Sequence, residues 1–171
     1  MTESNDLEDK LDEAIRGVEK IQKEKTSAKR LRFYVEFAKT QDITKLKRPV
    51  YVIHEHHSSR LHWDLRFEDD GKMETWRIYK SPSPTMGVKR LAHKKSEPIP
   101  IGAALFEGEI RQEYGAGKLK IWDSGTFEIV EKRETKFVVN IKGKELNGKY
   151  SLVSVPNDVP RLDKWFFKPK L

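Results

Sequence analysis

The sequence predicts a mainly β protein: a small antiparallel β-barrel preceded by one or two N-terminal helices. Three observations carry that expectation. Apolar residues recur every three or four positions up to about residue 39, and at every second position from Pro49 onward. Turn signals, DDG at 69–71, DSG at 123–125 and NG at 147–148, punctuate the alternating runs. A length of 171 residues is about one domain's worth, enough to bury a core without disulfides.

In chain order, residues 6–39 read as helix. Leu7, Leu11, Ile15, Val18 and Ile21 are spaced for one helix face, with Glu, Lys and Ala between them. Ser27 is expected to cap a second helix carrying Leu31, Tyr34 and Phe37 on one side. Residues 1–30 are taken as a helical arm that packs on the domain or meets a partner, and 31–171 as the barrel domain. Strands are expected at 50–56, 62–68, 73–79, 103–110, 117–122, 126–131, 136–142 and 148–155. Between them, KSPSPTMGVKRLAHKKSEPIP at 80–100 is too rich in Pro and Lys for a strand and reads as a long functional loop. The tail PRLDKWFFKPKL at 160–171 offers Trp165, Phe166 and Phe167 either for base stacking or for closing the barrel.

Composition bounds the function. The absence of cysteine excludes disulfide and thiolate chemistry and fits a reducing interior. There is no apolar run long enough to cross a bilayer and no signal-like start, so a soluble, cytoplasmic monomer is expected. Residues 1–13 hold six acids and one base, −5, which leaves +12 on the rest of a chain whose net charge is +7. Such a basic body suits a polyanion, nucleic acid above all, or a lysine-rich surface kept for solubility.

The chemistry concentrates in HEHHSSRLHWDLRFE, residues 54–68, which holds four of the five histidines. Within it Leu61, Trp63, Leu65 and Phe67 alternate with His62, Asp64, Arg66 and Glu68, an apolar face against a polar one. A five-residue loop at 57–61 sets His56 opposite His62, His54 opposite Asp64 and Val52 opposite Arg66. A four-residue loop would mix polar and apolar residues on both faces, which burial penalises. The favoured register gathers His54, His56, His62 and Asp64 on one face. Imidazoles and a carboxylate at that spacing suit a divalent transition ion, Mn²⁺, Zn²⁺ or Fe²⁺, and the lack of thiolate leans to the harder ions. Arg66 follows as a fork of donors for phosphate.

The stretch HEHHSSRLHWDLRFEDDGKMETW resembles the phosphoesterase module of bacterial DNA ligase D, which also occurs as stand-alone archaeal proteins. That family typically reads Q-x-H-x-A-S-R-x-H-x-D-x-R-L-E, then a turn and a Trp. Further matches follow in order: Lys80 with Pro82, KRLA at 89–92, FEG at 106–108, EYGAG at 113–117, WDSGTFE at 122–128 and GKELNGKYSLV at 143–153. The resemblance covers about 33–155. It implies a metal-dependent β-barrel that trims a 3′-terminal ribonucleoside to a 3′-phosphate and then removes the phosphate. By position, it implies a manganese-like ion on His56, His62 and Asp64, and phosphate held by Arg66 and Arg90 with Lys80 nearby. His54 stands where the family usually has Gln, beside the same substrate. DNA or RNA/DNA 3′ ends would be the partners, with a DNA ligase or polymerase of end joining. Lys89, Lys94 and Lys95 are expected to line the mouth or simply to be solvated.

Four departures fall in the same regions. Glu97 replaces a His before Pro98, and Ile101 replaces a Tyr four residues beyond that His. Val35, Glu36 and Phe37 stand where the family has Arg-Asp-Phe, and the segment between FEG and YGAG is one residue short. His93 is the one histidine near enough in sequence to compensate. Two other readings stay open: a catalytically impaired relative that binds ends or a ligase, and a cupin-like metalloenzyme.

Overall fold

The computed structural model describes residues 2–111 and 117–171, apart from the side chains of 2–4 and 22–27. One helix, α1 (Thr2–Ala38), opens the chain. The expected break at Ser27 does not occur: the backbone stays helical from Thr2 to Ala38, because Glu, Lys and Ala on both sides favour continuation. Only its last turns dock. Leu31, Phe33, Tyr34 and Phe37 pack on the barrel, while residues 5–21 are exposed. No helix among the described residues is long and apolar enough to cross a membrane.

Ten strands follow among the described residues: β1 (Val50–His57), β2 (His62–Asp69), β3 (Lys72–Ile78), β4 (Arg90–Lys94), β5 (Ile99–Pro100), β6 (Gly108–Ile110), β7 (Gly117–Arg133), β8 (Lys136–Gly143), β9 (Asn147–Ser154) and β10 (Lys164–Pro169). Eight of them close a barrel in the order β1-β2-β3-β4-β10-β9-β8-β7, with β7 returning to pair with β1. β5 and β6 attach outside that ring, to β3 and β7.

Inward-facing residues fill the barrel with aromatic rings. Phe67 stands 5.2–6.0 Å, centroid to centroid, from Tyr51, Trp76, Phe127 and Phe137. Each such ring removed from water stabilises the fold by roughly 2–3 kcal/mol. A second core lies outside the wall, where Val50, Val52, Met73, Leu119 and Ile110 meet α1 and a 3-10 turn at Ile101–Leu105.

Several expected elements differ. The strand predicted at 103–110 is that 3-10 turn followed by β6, because Gly102, Ala103 and Ala104 let the chain press against α1. A Cβ at Gly102 would lie 3.0 Å from Ala38. The two strands expected at 117–122 and 126–131 are one strand, β7. DSG at 123–125 makes no turn there. The Asp123 carboxylate instead accepts backbone N–H bonds from Lys144, Glu145 and Leu146 at 2.8–3.0 Å, organising the β8–β9 turn, plus the Tyr51 hydroxyl at 2.8 Å. The loop expected over 80–100 contains β4 and β5. The C-terminal tail closes the barrel as β10, with Trp165 and Phe167 buried among the interior rings.

Candidate metal centre

β1 and β2 pair antiparallel with Val52 opposite Arg66, His54 opposite Asp64 and His56 opposite His62. This is the register that consistent faces require. Tyr51, Ile53, Trp63, Leu65 and Phe67 point into the barrel, so His54, His56, His62, Asp64 and Arg66 point out through its wall. Outward does not mean solvated. All five are at most 3% exposed.

His56, His62 and Asp64 each offer a ligand atom within 4.8 Å of the other two. His56 Nδ1 lies 3.0 Å from His62 Nε2, which lies 3.6 Å from Asp64 Oδ2. Neighbouring donors around an ion with bonds of about 2.1 Å stand about 3.0–3.4 Å apart, so these spacings fit a divalent ion. The tautomers fit as well. His62 Nδ1 is 2.9 Å from the Arg60 carbonyl oxygen, which can only accept, so Nδ1 holds the proton and Nε2 presents a lone pair. Burial and the neighbouring His62 push the His56 pKa down to about 3, leaving that ring neutral. Its Nε2 is buried with no hydrogen-bond partner among the described residues.

Asp64 stays ionised. Burial alone would raise its pKa, but Arg77, with Arg66 beside it, holds it well below the usual carboxylate range. Arg77 Nε donates to Oδ1 at 2.9 Å, and Arg66 Nη2 donates to Oδ2 at 3.3 Å. Arg66 is nearly saturated: Nε donates to His54 Nδ1 at 3.1 Å, Nη1 to Thr75 Oγ1 at 3.2 Å, and Nη2 also to the Tyr34 hydroxyl at 3.4 Å. His54 is therefore no ligand. Its Nε2 donates to the Phe106 carbonyl oxygen at 3.0 Å, and burial with Arg66 close by depresses its pKa to about 3. It is a neutral prop that aims Arg66.

Beside the triad lies a cleft of about 460 Å³ lined by Arg30, Tyr34, Asp64, Arg66, Thr75, Arg77, Lys95 and Glu97, among others. Arg30 Nε is buried there without a hydrogen-bond partner among the described residues. Tyr79 stands beside the triad, its ring 6.0 Å from those of both His62 and His93 and 3.8 Å from the Arg60 guanidinium.

The other predicted residues are dispersed. Arg90 lies on β4, where its Nε donates to the Ser81 carbonyl at 2.8 Å, and it does not line the cleft. Lys80 is exposed beyond β3. Lys94 does line the cleft, held by Glu74 and the face of Trp76, whereas Lys89 sits over Phe166. His57 is on the surface beside Glu55. Ile101 is buried in the outer core, and Val35 and Glu36 are on α1 away from the cleft.

Arg77, Arg30, Tyr34 and Gly117 were not singled out as site residues from the sequence. Arg77 was within reach: continuing the two-residue alternation through the DDG turn sets Thr75 against Arg66 and Arg77 against Asp64. Arg30 and Tyr34 carry no local signal, because the approach of α1 to the wall is a tertiary fact.

The DNA ligase D 3′-phosphoesterase domain matches residues 54–154, from the first histidine of β1 to the end of β9. The chain belongs to that family. The multifunctional non-homologous end joining DNA repair protein LigD of Mycobacterium tuberculosis (strain ATCC 25618 / H37Rv) is 38% identical over 113 residues, 63% of this chain and 15% of that protein. Its counterpart from Pseudomonas aeruginosa is 37% identical over 134 residues, 74% of this chain and again 15% of the relative. The chain thus spans about one seventh of the curated relatives it matches. Several family motifs have structural work here: Glu107 of FEG accepts from the Ile121 backbone N–H at 2.9 Å, and Asp123 of WDSGTFE organises the β8–β9 turn. Of EYGAG, residues 113–116 lie outside the described residues. Gly117, its last member, backs His56: a Cβ there would collide with His56 Nε2.

Proposed function

We propose that this phosphoesterase-family chain is a divalent-metal-dependent enzyme processing the 3′ ends of DNA, or of RNA on DNA, in repair. The observation that carries the reading is the triad itself: three buried donor atoms within 4.8 Å of one another, beside an arginine-lined cleft. His56, His62 and Asp64 would hold the ion, with Mn²⁺ favoured by family and Zn²⁺ the nearest rival. When bound, such an ion supplies Lewis acidity at the scissile phosphate and makes a water more acidic.

The chain's own groups do the rest. Arg60, through its carbonyl, fixes which nitrogen of His62 faces the ion. Arg66 and Arg77 keep Asp64 anionic, and with Arg30 they surround the phosphate with guanidinium charge as negative charge builds on its oxygens. Lys95 extends that field along the nucleic acid backbone. The barrel, 31–171, is the catalytic unit and 1–30 an arm whose last residue, Arg30, reaches the cleft. A DNA ligase or polymerase of end joining is the companion proposed, because the relatives are named as non-homologous end joining proteins. The single-hairpin origin of the triad and the family membership leave the cupin-like reading without support.

A labelled primer–template ending in one 3′-ribonucleotide, or in a 3′-phosphate, tests the proposal in Mn²⁺. Shortened or dephosphorylated product that is lost in His56→Ala and Asp64→Ala is the expected result. One observation favours a second reading, end binding without cleavage: apolar Ile101, at the position of a family tyrosine, is buried away from the cleft. Tight, salt-sensitive binding with no product under any divalent ion would establish that reading instead.

A further inference from the structure

The free part of α1 is the largest feature the site leaves unexplained. Leu7, Leu11, Ile15, Val18 and Ile21 are 68, 61, 47, 56 and 52% exposed. Leu7, Leu11, Ala14, Val18 and Ile21 are spaced 4, 3, 4 and 3 apart, the heptad seam of a coiled coil. A solvated helix has no use for such a seam. Gly17 in the middle, with nothing within 4 Å of where its Cβ would stand, weakens the helix further and leaves it in need of packing.

Charge along the helix says what covers the seam. Residues 1–13 carry −5, whereas 14–29 hold five bases and two acids, +3. A second copy laid parallel would set acid against acid and base against base. Laid antiparallel, each acidic end faces the other copy's basic half, and Ala14 and Gly17 fall near the crossing where a narrow waist suits close approach. At about 1.5 Å per residue the 37-residue helix is roughly 55 Å long. Since each barrel docks only at the C-terminal turns, the antiparallel arrangement keeps the two barrels at opposite ends, clear of one another.

The geometry points to a homodimer held by an antiparallel two-helix coiled coil of α1, residues 5–29, in place of the monomer expected from the sequence. This does not depend on the barrel's catalytic role. Light scattering on the full-length chain tests it, expecting a mass near twice 20.0 kDa. Leu11→Asp with Val18→Asp should return a monomer whose barrel melts as before, since those residues do not touch it. Reversing the acidic end (Asp6, Glu8, Asp9 and Asp12 to Lys) should weaken the dimer about tenfold or more, and high salt should weaken the wild type likewise. A parallel pair would not be weakened by that reversal, because like would still face like and the charge on residues 1–13 would only pass from −5 to +3. A monomer at hundreds of micromolar, a dimer insensitive to the seam substitutions, or a dimer insensitive to charge reversal would each overturn the inference.

Discussion

Gly117 and His56 compete for the same space: a side chain on the first would stand where the imidazole Nε2 of the second already is. β7 thus serves as a backstop that sets the ring angle and, through it, the direction of Nδ1 towards His62. Gly117→Ala is expected to tilt His56 and lower Mn²⁺ affinity about 10- to 100-fold, the usual cost of disturbing a group that orients a ligand. Calorimetric titration with Mn²⁺ measures it, and the barrel should stay folded. Unchanged affinity would mean that the ring angle is immaterial.

Asp64 has a structural duty beside its proposed role at the ion. It is the carboxylate that neutralises Arg66 and Arg77, and its side chain is 2% exposed. Asp64→Asn would leave two neighbouring guanidinium groups without a counter-charge. Destabilisation by about 3 kcal/mol is expected from urea unfolding in EDTA, where no ion contributes. A neutral outcome would show that the arginines relax into solvent.

Arg30 reaches the cleft from α1 with one buried N–H unpaired among the described residues. Arg30→Gln is expected to raise KM for a 3′-phosphate end several-fold while sparing Mn²⁺ affinity. It should also reduce the salt dependence of end binding by slightly under one unit of log–log slope. Loss of metal affinity in that variant would place Arg30 in the structure of the triad.

Alkaline pH should unfold the barrel through its tyrosines. Burial, then the neighbouring Asp123, raises the Tyr51 pKa far above the ordinary value of 10.0, and burial raises Tyr34 as well. The folded state therefore holds these protons more tightly than the unfolded chain does. Their contribution is complete below pH about 10 and is lost as pH climbs beyond it. Phenolate absorbance should show both tyrosines un-ionised until the cooperative alkaline transition. Tyr51→Phe should shift that transition upward, relative to its own stability at neutral pH.

The hairpin was legible in the sequence because only one register keeps His62, Asp64 and Arg66 on one face and Trp63, Leu65 and Phe67 on the other. β4 was not, and the reason is physical. Arg90, Ala92 and Lys94 share its barrel-facing side, and Lys94 is accommodated there by Glu74 and the Trp76 ring, so no apolar alternation marks the strand. DSG misled because Asp123 uses its turn-forming carboxylate on a neighbouring turn. β10 is too short, and too rich in consecutive apolar residues, to reveal its period. Arg90 entered the expected site through the family pattern alone; it donates to the Ser81 carbonyl and is not among the residues lining the cleft.

Because imidazoles and aromatic rings hang from opposite sides of the same two staves, the filling of the barrel and the reacting surface can vary almost independently. Repacking around Phe67 reaches His56, His62 and Asp64 only by tipping the ribbon. The sheath laid over that ribbon, the end of α1 and the 101–106 segment, is by contrast built from short stretches held to the wall by apolar packing. Exchange of that sheath between relatives would give one ion cradle different appetites for strand ends without disturbing the wood beneath.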